Sequence, residues 1–221
     1  MSEDILHSPA GTLIKTTLVD FPHRVSATVF LEGCNLRCPY CYNGELVLGE
    51  TAPNCRNGKR NYPVVSLEEI LEHIHKRQGL LSGITVSGGE PLLNKRTEII
   101  IREAKKCGYK IKIDTNGTLP DLLQDLINDE ELKPDYIAMD LKTNPAHYSL
   151  LMEKQSASAD EDLEHKLLRS IKIITSSFAP ENREWRTVLV PALVKAEDIN
   201  AIAAFQKTHS GILPSSVTKT A

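Results

Sequence analysis

The stretch VSATVFLEGCNLRCPYCYN, residues 25–43, decides how the rest of the chain is read. Its first half, VSATVFLEG (25–33), is a short apolar run rich in β-branched residues and predicts a buried strand. Its second half places Cys34, Cys38 and Cys41 within eight residues, in a C-x3-C-x2-C pattern. A strand running straight into a thiol-rich loop puts chemistry at the strand's C-terminal end. Thiolate is the ligand form of cysteine, and its softness selects Zn or an iron–sulfur cluster. A closed structural Zn site wants four ligands, and this loop offers three. A cuboidal 4Fe–4S cluster on three cysteines leaves one iron open to an exogenous ligand. Two alternatives stand beside it: a structural Zn completed by Cys55 or a histidine, and three unliganded core thiols.

Outward from this loop the chain alternates. Ser66 with Glu69 three residues later forms a capping box and opens a helix whose inner face carries Leu67, Ile70, Leu71 and Ile74. GITVSGG (83–89) is a short apolar strand ending in glycines. Residues 95–107 are helical, with Ile99, Ile100, Ala104 and Cys107 inward and Gly108 as the stop. YKIKIDTNG (109–117) is the next strand, then a helix over 121–131 after Pro120. DYIAMDLK (135–142) is a strand, 161–174 a helix, WRTVLVP (185–191) a strand and 196–208 a helix. Strand and helix alternating five times predicts right-handed crossovers and a parallel sheet with helices outside. Residues 49–63 and 152–160 are polar linkers, the second expected to be mobile. Neither marks a domain boundary, so residues 1–221 are expected to form one domain, its core at about 11–208 and 209–221 an irregular tail.

In parallel α/β folds the C-terminal ends of the strands carry the chemistry. Here those ends read GCNLRCPYCYN, SGGEP, DTNG, MDLK and VPA. Gly88 and Gly89 allow backbone to approach a ligand closely. Asp114 and Asp140, on neighbouring strands, suit ribose hydroxyls, an ammonium or a cation. Lys142 suits a ligand carboxylate. Taken singly, each has a plain structural reading: Asn116-Gly117 is a common turn, and Asp140 with Lys142 is a surface ion pair of little worth. His73 and His75 lie two apart on a helix and cannot share a face.

Composition narrows the classes. With 221 residues, 41% apolar and 25% charged, the chain can bury a core. A net charge of −3 lacks the basic footprint of a nucleic-acid binder. Apolar runs such as 99–101 and 122–127 are too short to cross a bilayer. The opening MSEDILHSPAG has no export pattern. The expectation is a soluble cytoplasmic protein without nucleic-acid or membrane partners. Five cysteines, three of them clustered, speak for metal or redox chemistry over cystines.

The cysteine pattern with Tyr40 before its third member, together with SGGEP, resembles the radical S-adenosylmethionine (radical SAM) superfamily. GTLIKTTLVDFPHRVSATVFLEGCNLRCPYCYNGELV (11–47) and EEILEHIHKRQGLLSGITVSGGEPLL (68–93) resemble, within it, the activating proteins of glycyl radical enzymes. The likeness is greatest to those of anaerobic ribonucleoside-triphosphate reductase, and it covers about residues 11–205. The resemblance implies an α/β fold, a partial (β/α)6 radical SAM barrel of parallel strands with outer helices. It implies that Cys34, Cys38 and Cys41 ligate a 4Fe–4S cluster and that S-adenosylmethionine chelates its open iron. Backbone at Tyr40 and Tyr42 would approach the adenine, while Gly88, Gly89 and Glu90 would serve the methionine amino group. Asp140 and Lys142 would contact the methionyl end, Asn116 and Arg186 would add ligand contacts, and Asp114, Thr115 and Asp140 would hold a monovalent cation.

The implied chemistry is one-electron cleavage of the sulfonium to a 5′-deoxyadenosyl radical that takes hydrogen from a glycine of a partner enzyme. Anaerobic ribonucleotide reductase is the favoured partner, and a flavodoxin or ferredoxin the expected electron donor. Two departures stand out. Activases often carry glycine after the DFP turn, where this chain has His23. Larger members close with a sixth strand, but SGILPSSVTKTA leaves room for one that is absent or very short. Competing readings are an activase of a pyruvate formate-lyase-like enzyme, a small-molecule enzyme such as a carboxydeazaguanine synthase, and a non-catalytic protein stapled by metal. The synthases usually follow the third cysteine with Asp, where this chain has Tyr42-Asn43.

Overall fold

The structure is a computed structural model that describes residues 3–51, 62–144, 147–148, 151, 157–189, 196–210 and 216–219. The chain separates into two compact units, one gathering residues 1–34, 42–114 and 128–136, the other residues 35–41, 115–127 and 137–221.

In the first unit β1 (Pro9–Thr17), β2 (Ser26–Leu31), β3 (Val65–Ser66), β4 (Gly83–Gly88) and β5 (Lys110–Thr115) lie in the order β3-β1-β2-β4-β5. The pairs β2–β4 and β4–β5 are parallel, as the alternation predicts. The antiparallel pairs of β1 with β2 and β3 lie outside that alternation. Alternate β2 residues Ala27, Val29 and Leu31 are fully buried, and so are Ser26 and Thr28 between them, at no more than 1% exposure. A strand covered on both faces reads as a continuous run.

Four helices belong here: α1 (Glu3–His7), α2 (Gly44–Leu48), α3 (Leu67–Lys76) and α4 (Arg96–Lys106). The capping box of α3 is present, the Glu69 N–H donating to Ser66 Oγ at 3.2 Å and the Ser66 N–H to Glu69 Oε2 at 2.8 Å. Its buried side chains are Leu67, Ile70 and Ile74. The inner face of α4 is Thr97, Ile100, Ile101 and Ala104. Ile99 and Cys107 are instead half-buried, because the helix turns its 97–101–104 stripe inward. Gly108 stops the helix at φ +83°.

The second unit holds α5 (Pro120–Asn128), β6 (Tyr136–Asp140), α6 (Ala157–Ser177), β7 (Arg183–Leu189), α7 (Ala196–Ser210) and β8 (Ser216–Lys219). Its strands run parallel in the order β6-β7-β8. Parallel neighbours need a long crossover, and α6 and α7 supply it. Two expectations change. Helix α6 begins at Ala157, inside the segment read as a mobile linker, since Ala157 and Ala159 favour helix and the acidic 160–162 suits its first turns. The tail is not irregular throughout: Ser216–Lys219 pairs with Arg186–Leu189, a sixth parallel strand of four residues.

The DFP turn between β1 and β2 is held by Phe21, 3% exposed, whose ring lies 5.9 Å from that of Tyr136. A Cβ on Gly83 would come within 2.8 Å of this ring, so the glycine makes its seat. Fixing Phe21 leaves His23 at φ +60°, the one non-glycine residue with positive φ among the described residues. That is the position where the resemblance expects glycine, and it explains why. We expect His23→Gly to melt no lower than the wild type. His23→Val should lose roughly 1–2 kcal/mol, since a β-branched side chain is strained there. Urea unfolding measures both, and a valine variant as stable as the wild type would contradict the assignment.

Candidate functional site

In the first unit the end of β2 meets the end of β4. The N–H of Gly89 donates to Leu31 O at 2.8 Å, and the N–H of Glu90 to Gly33 O at 2.8 Å. Gly33 immediately precedes Cys34, so the β4 end grips the base of the cysteine loop. No side chain could stand between them. A Cβ on Gly89 would lie 1.8 Å from Gly33 O, and one on Gly88, at φ +113°, 2.3 Å from Leu31 N. Glu90 is 1% exposed, and its Oε1 accepts the Leu92 N–H at 3.2 Å, capping a 3-10 turn over Pro91–Leu93. The SGGEP segment thus seats the loop whatever else it binds. Asp114, at the end of β5, carries the buried ammonium of Lys112.

The second unit holds the remainder of the loop. Leu36 is buried at 2% exposure. The Asn116 amide donates to Asn35 Oδ1 at 2.9 Å, and the Asn35 amide to Thr118 Oγ1 at 2.7 Å. Thr118 returns its hydroxyl to Asn116 Oδ1 at 2.7 Å, and its N–H bonds the same oxygen at 3.0 Å. The DTNG turn therefore locks the loop between its first two cysteines. Thr115 Oγ1 accepts the Gly117 N–H at 3.2 Å, within the same turn.

At the end of β6 Asp140 takes two cations. Lys142 Nζ donates to Oδ2 at 2.6 Å and Arg186 Nε, from β7, to Oδ1 at 2.8 Å. Their side chains are 22–28% exposed, so this is no isolated surface pair. Burial alone would push Asp140 up, but the charges and hydrogen bonds of Lys142 and Arg186 hold its carboxyl down to about 2. Burial likewise works against the Lys142 charge, and Asp140 overcomes it and raises the ammonium's pKa. Tyr40, from the cysteine loop, donates its hydroxyl to Lys142 O at 2.5 Å, and the Lys142 N–H donates to Tyr148 Oη at 2.7 Å. Tyr148 is wholly buried. Burial, then the nearby Cys38, Asp140 and Cys41, push Tyr40 far above the ordinary phenol range.

Cys34 and Cys38 are half-buried, Cys41 is exposed, and none forms a disulfide. Three reduced, accessible thiols on one short loop fit an iron–sulfur centre by donor chemistry. The fit rests on identity and spacing, since among the described residues no group of three His, Cys, Asp or Glu is gathered to hold a metal ion. The Tyr42 side chain is fully exposed. Cys55 lies outside the described residues, and Cys107 is half-buried at the end of α4. Asn35, Thr118 and Tyr148 were missed by sequence reasoning. Asn35 was open to detection, since it lies between two cysteines; Tyr148 sits in a segment with no periodicity.

The family model described as the Radical SAM superfamily matches residues 28–161. A protein of Methanocaldococcus jannaschii named as a glycyl-radical enzyme activating enzyme is 34% identical over 192 residues, covering 86% of this chain and 72% of its own length. A 7-carboxy-7-deazaguanine synthase of Thermococcus kodakarensis is 25% identical over 185 residues, covering 79% and 67%. The solved structure of native anSMEcpe with bound AdoMet superposes with a TM-score of 0.56 at 18% identity. It covers 85% of this chain, which spans about half of that one at 48%, and the likeness is one of fold. Among the described residues no helix is long and apolar enough to cross a membrane.

Two outcomes are expected. Asp140 has a depressed pKa, so its contribution is whole above the unfolded value of 3.8 and is lost as pH falls through about 2. Between pH 5 and pH 2 the wild type should therefore lose roughly 2 kcal/mol more than Asp140→Asn, read from urea midpoints of cluster-free protein. Equal losses would remove the carboxylate from its place between the two cations. Gly89→Ala should push the cysteine loop off β4 and lower the iron bound per chain on reconstitution, an effect that an exposed glycine such as Gly79 would not show.

Proposed function

We propose a function from the premise that the chain belongs to the radical SAM superfamily and, within it, to the glycyl-radical enzyme activating enzymes. It is an enzyme of a family whose cofactors are a 4Fe–4S cluster and S-adenosylmethionine. When bound, these supply one-electron cleavage of the sulfonium and a 5′-deoxyadenosyl radical able to take the Cα hydrogen of a partner glycine.

Their surroundings support the following roles for this chain's own residues. Cys34, Cys38 and Cys41 hold the cluster. Gly88, Gly89 and Glu90 keep the loop base against β4 and offer their backbone to the methionine amino group. Asn116, through Asn35, fixes the loop's middle. Tyr40, bonded to the Lys142 carbonyl, links the loop to the Asp140, Lys142 and Arg186 group, and its backbone with that of Tyr42 faces the adenine. Lys142 and Arg186, already charged and already ordered by Asp140, are placed to receive a carboxylate with little reorganisation. Asp114 and Thr115 stand at the end of β5. Residues 1–221 act together as one radical SAM domain in the cytoplasm.

The partner favoured is an anaerobic ribonucleotide reductase, with a flavodoxin or ferredoxin as electron donor. The observation that carries the reading is the cysteine loop, gripped at its base by SGGEP within a chain whose likeness to a named activase runs through 86% of its length. An activase of a pyruvate formate-lyase-like enzyme is the nearest alternative. The likeness to a deazaguanine synthase favours a small-molecule substrate as a second reading, against which Tyr42-Asn43 follows the third cysteine.

Anaerobic reconstitution, reduction and addition of S-adenosylmethionine should yield 5′-deoxyadenosine by chromatography. Substituting alanine for any one of Cys34, Cys38 or Cys41 should abolish both iron loading and product. Electron paramagnetic resonance should then detect a glycyl radical on anaerobic ribonucleotide reductase mixed with the active protein. Turnover of 7-carboxy-7-deazaguanine precursors without a protein radical would replace this reading by the second. Full iron and product in a cysteine variant would overturn the ligand assignment.

A further inference from the structure

The first unit contains a buried cation of its own. β2, β4 and β5 run in register, Thr28 opposite Thr85 and Thr85 opposite Lys112. These three residues are 1%, 0% and 1% exposed. Thr28 gives its hydroxyl to Asp20 at 2.7 Å, whereas Thr85 Oγ1 is buried and unpartnered among the described residues. Residues two apart on a strand share a face. Lys112 therefore reaches along β5, and its Nζ bonds Asp114 Oδ1. The Asp114 side chain is 11% exposed. An ammonium with no access to water persists only against an opposite charge, and a carboxylate so placed needs one as much.

The resemblance drawn from sequence places a monovalent cation at Asp114, Thr115 and Asp140. At Asp114 the residues present do not fit that ion. A metal ion there would lie against an ammonium already bonded to the same carboxylate, in surroundings where repulsion between like charges is weakly screened. We propose that the Lys112 ammonium takes the place of a monovalent metal ion at Asp114. The chain thereby neutralises this strand end with a covalently held charge and is independent of sodium or potassium there. The inference takes its place in the cofactor site from the proposed function. Its test reads stability alone, so the failure of one is distinguishable from the failure of the other.

The test compares melting temperatures of the anaerobically prepared full chain, with and without its cluster. The salts are sodium, potassium, methylammonium and tetramethylammonium chloride at matched ionic strength. The wild type should melt at the same temperature in all four. Lys112→Ala leaves the Asp114 carboxylate beside the vacated space. It should melt roughly 10 °C lower in tetramethylammonium chloride and recover part of that in the three small cations. Two results would overturn the proposal: a wild-type melting temperature that rises in sodium or potassium and ceases to do so in Asp114→Asn, or a folded Lys112→Ala with no preference for small cations. Should Lys112→Ala fail to fold, the comparison of wild type with Asp114→Asn still decides.

Discussion

The approach of Gly89 to Gly33 is the constraint on which the site depends. A backbone N–H from β4 reaches a carbonyl one residue before Cys34, and a second reaches the last residue of β2. Parallel pairing sets the register of these strands, but pairing ends at Gly88. Past that point only bare backbone can continue the contact, since a methyl group at residue 89 would overlap the carbonyl outright. The motif is thus scaffold first. It converts the stiffness of a buried sheet into a fixed starting point for a loop that has little regular structure of its own.

The rest of the loop is secured by polar rather than apolar means. Asn35, Asn116 and Thr118 close a ring of hydrogen bonds, and Tyr40 bonds the backbone of Lys142. The Thr118–Asn116 bond is buried and the others are part-buried, so leaving a partner unmet is costly. Leu36 adds one buried apolar anchor. The Asp140 carboxylate performs a related service for two cations, which would otherwise repel each other at the end of adjacent strands. Its depressed pKa is the signature of that arrangement, because burial by itself acts in the opposite direction.

Much of this was legible from residues alone. The five strands and their helices follow from apolar runs bounded by caps and glycines, and Ser66–Glu69 marks a helix start without ambiguity. The cysteines announce themselves by spacing. What escaped has physical reasons. β1 is half-exposed and antiparallel, next to the two-residue edge strand β3, so its alternation is weak. β8 has only four residues after a proline, too few for a pattern. The strength of the Asp140–Lys142 pair is not legible locally, because it depends on Arg186, 46 residues away, and on burial that no local sequence reveals. Lys112 was passed over altogether, as a lysine inside an alternating strand reads as solvent-facing until its neighbours are seen to be covered.

The margin of the first sheet has a consequence for the life of the protein at high concentration. β1 pairs with β2 on one side, and on the other β3 pairs only with Pro9 and Gly11 before the chain turns into α3. An unpaired strand edge invites a second molecule to add to it, and the invitation grows with the number of free backbone groups in line. Here β3 takes the first residues of β1, and further along the same strand His73 bonds Lys15 O at 3.0 Å and Arg77 bonds Thr16 Oγ1 at 3.1 Å. Strand β3 together with His73 and Arg77 works against edge-to-edge polymerisation, which makes β3 part of a safeguard against self-association though it adds almost nothing to the core.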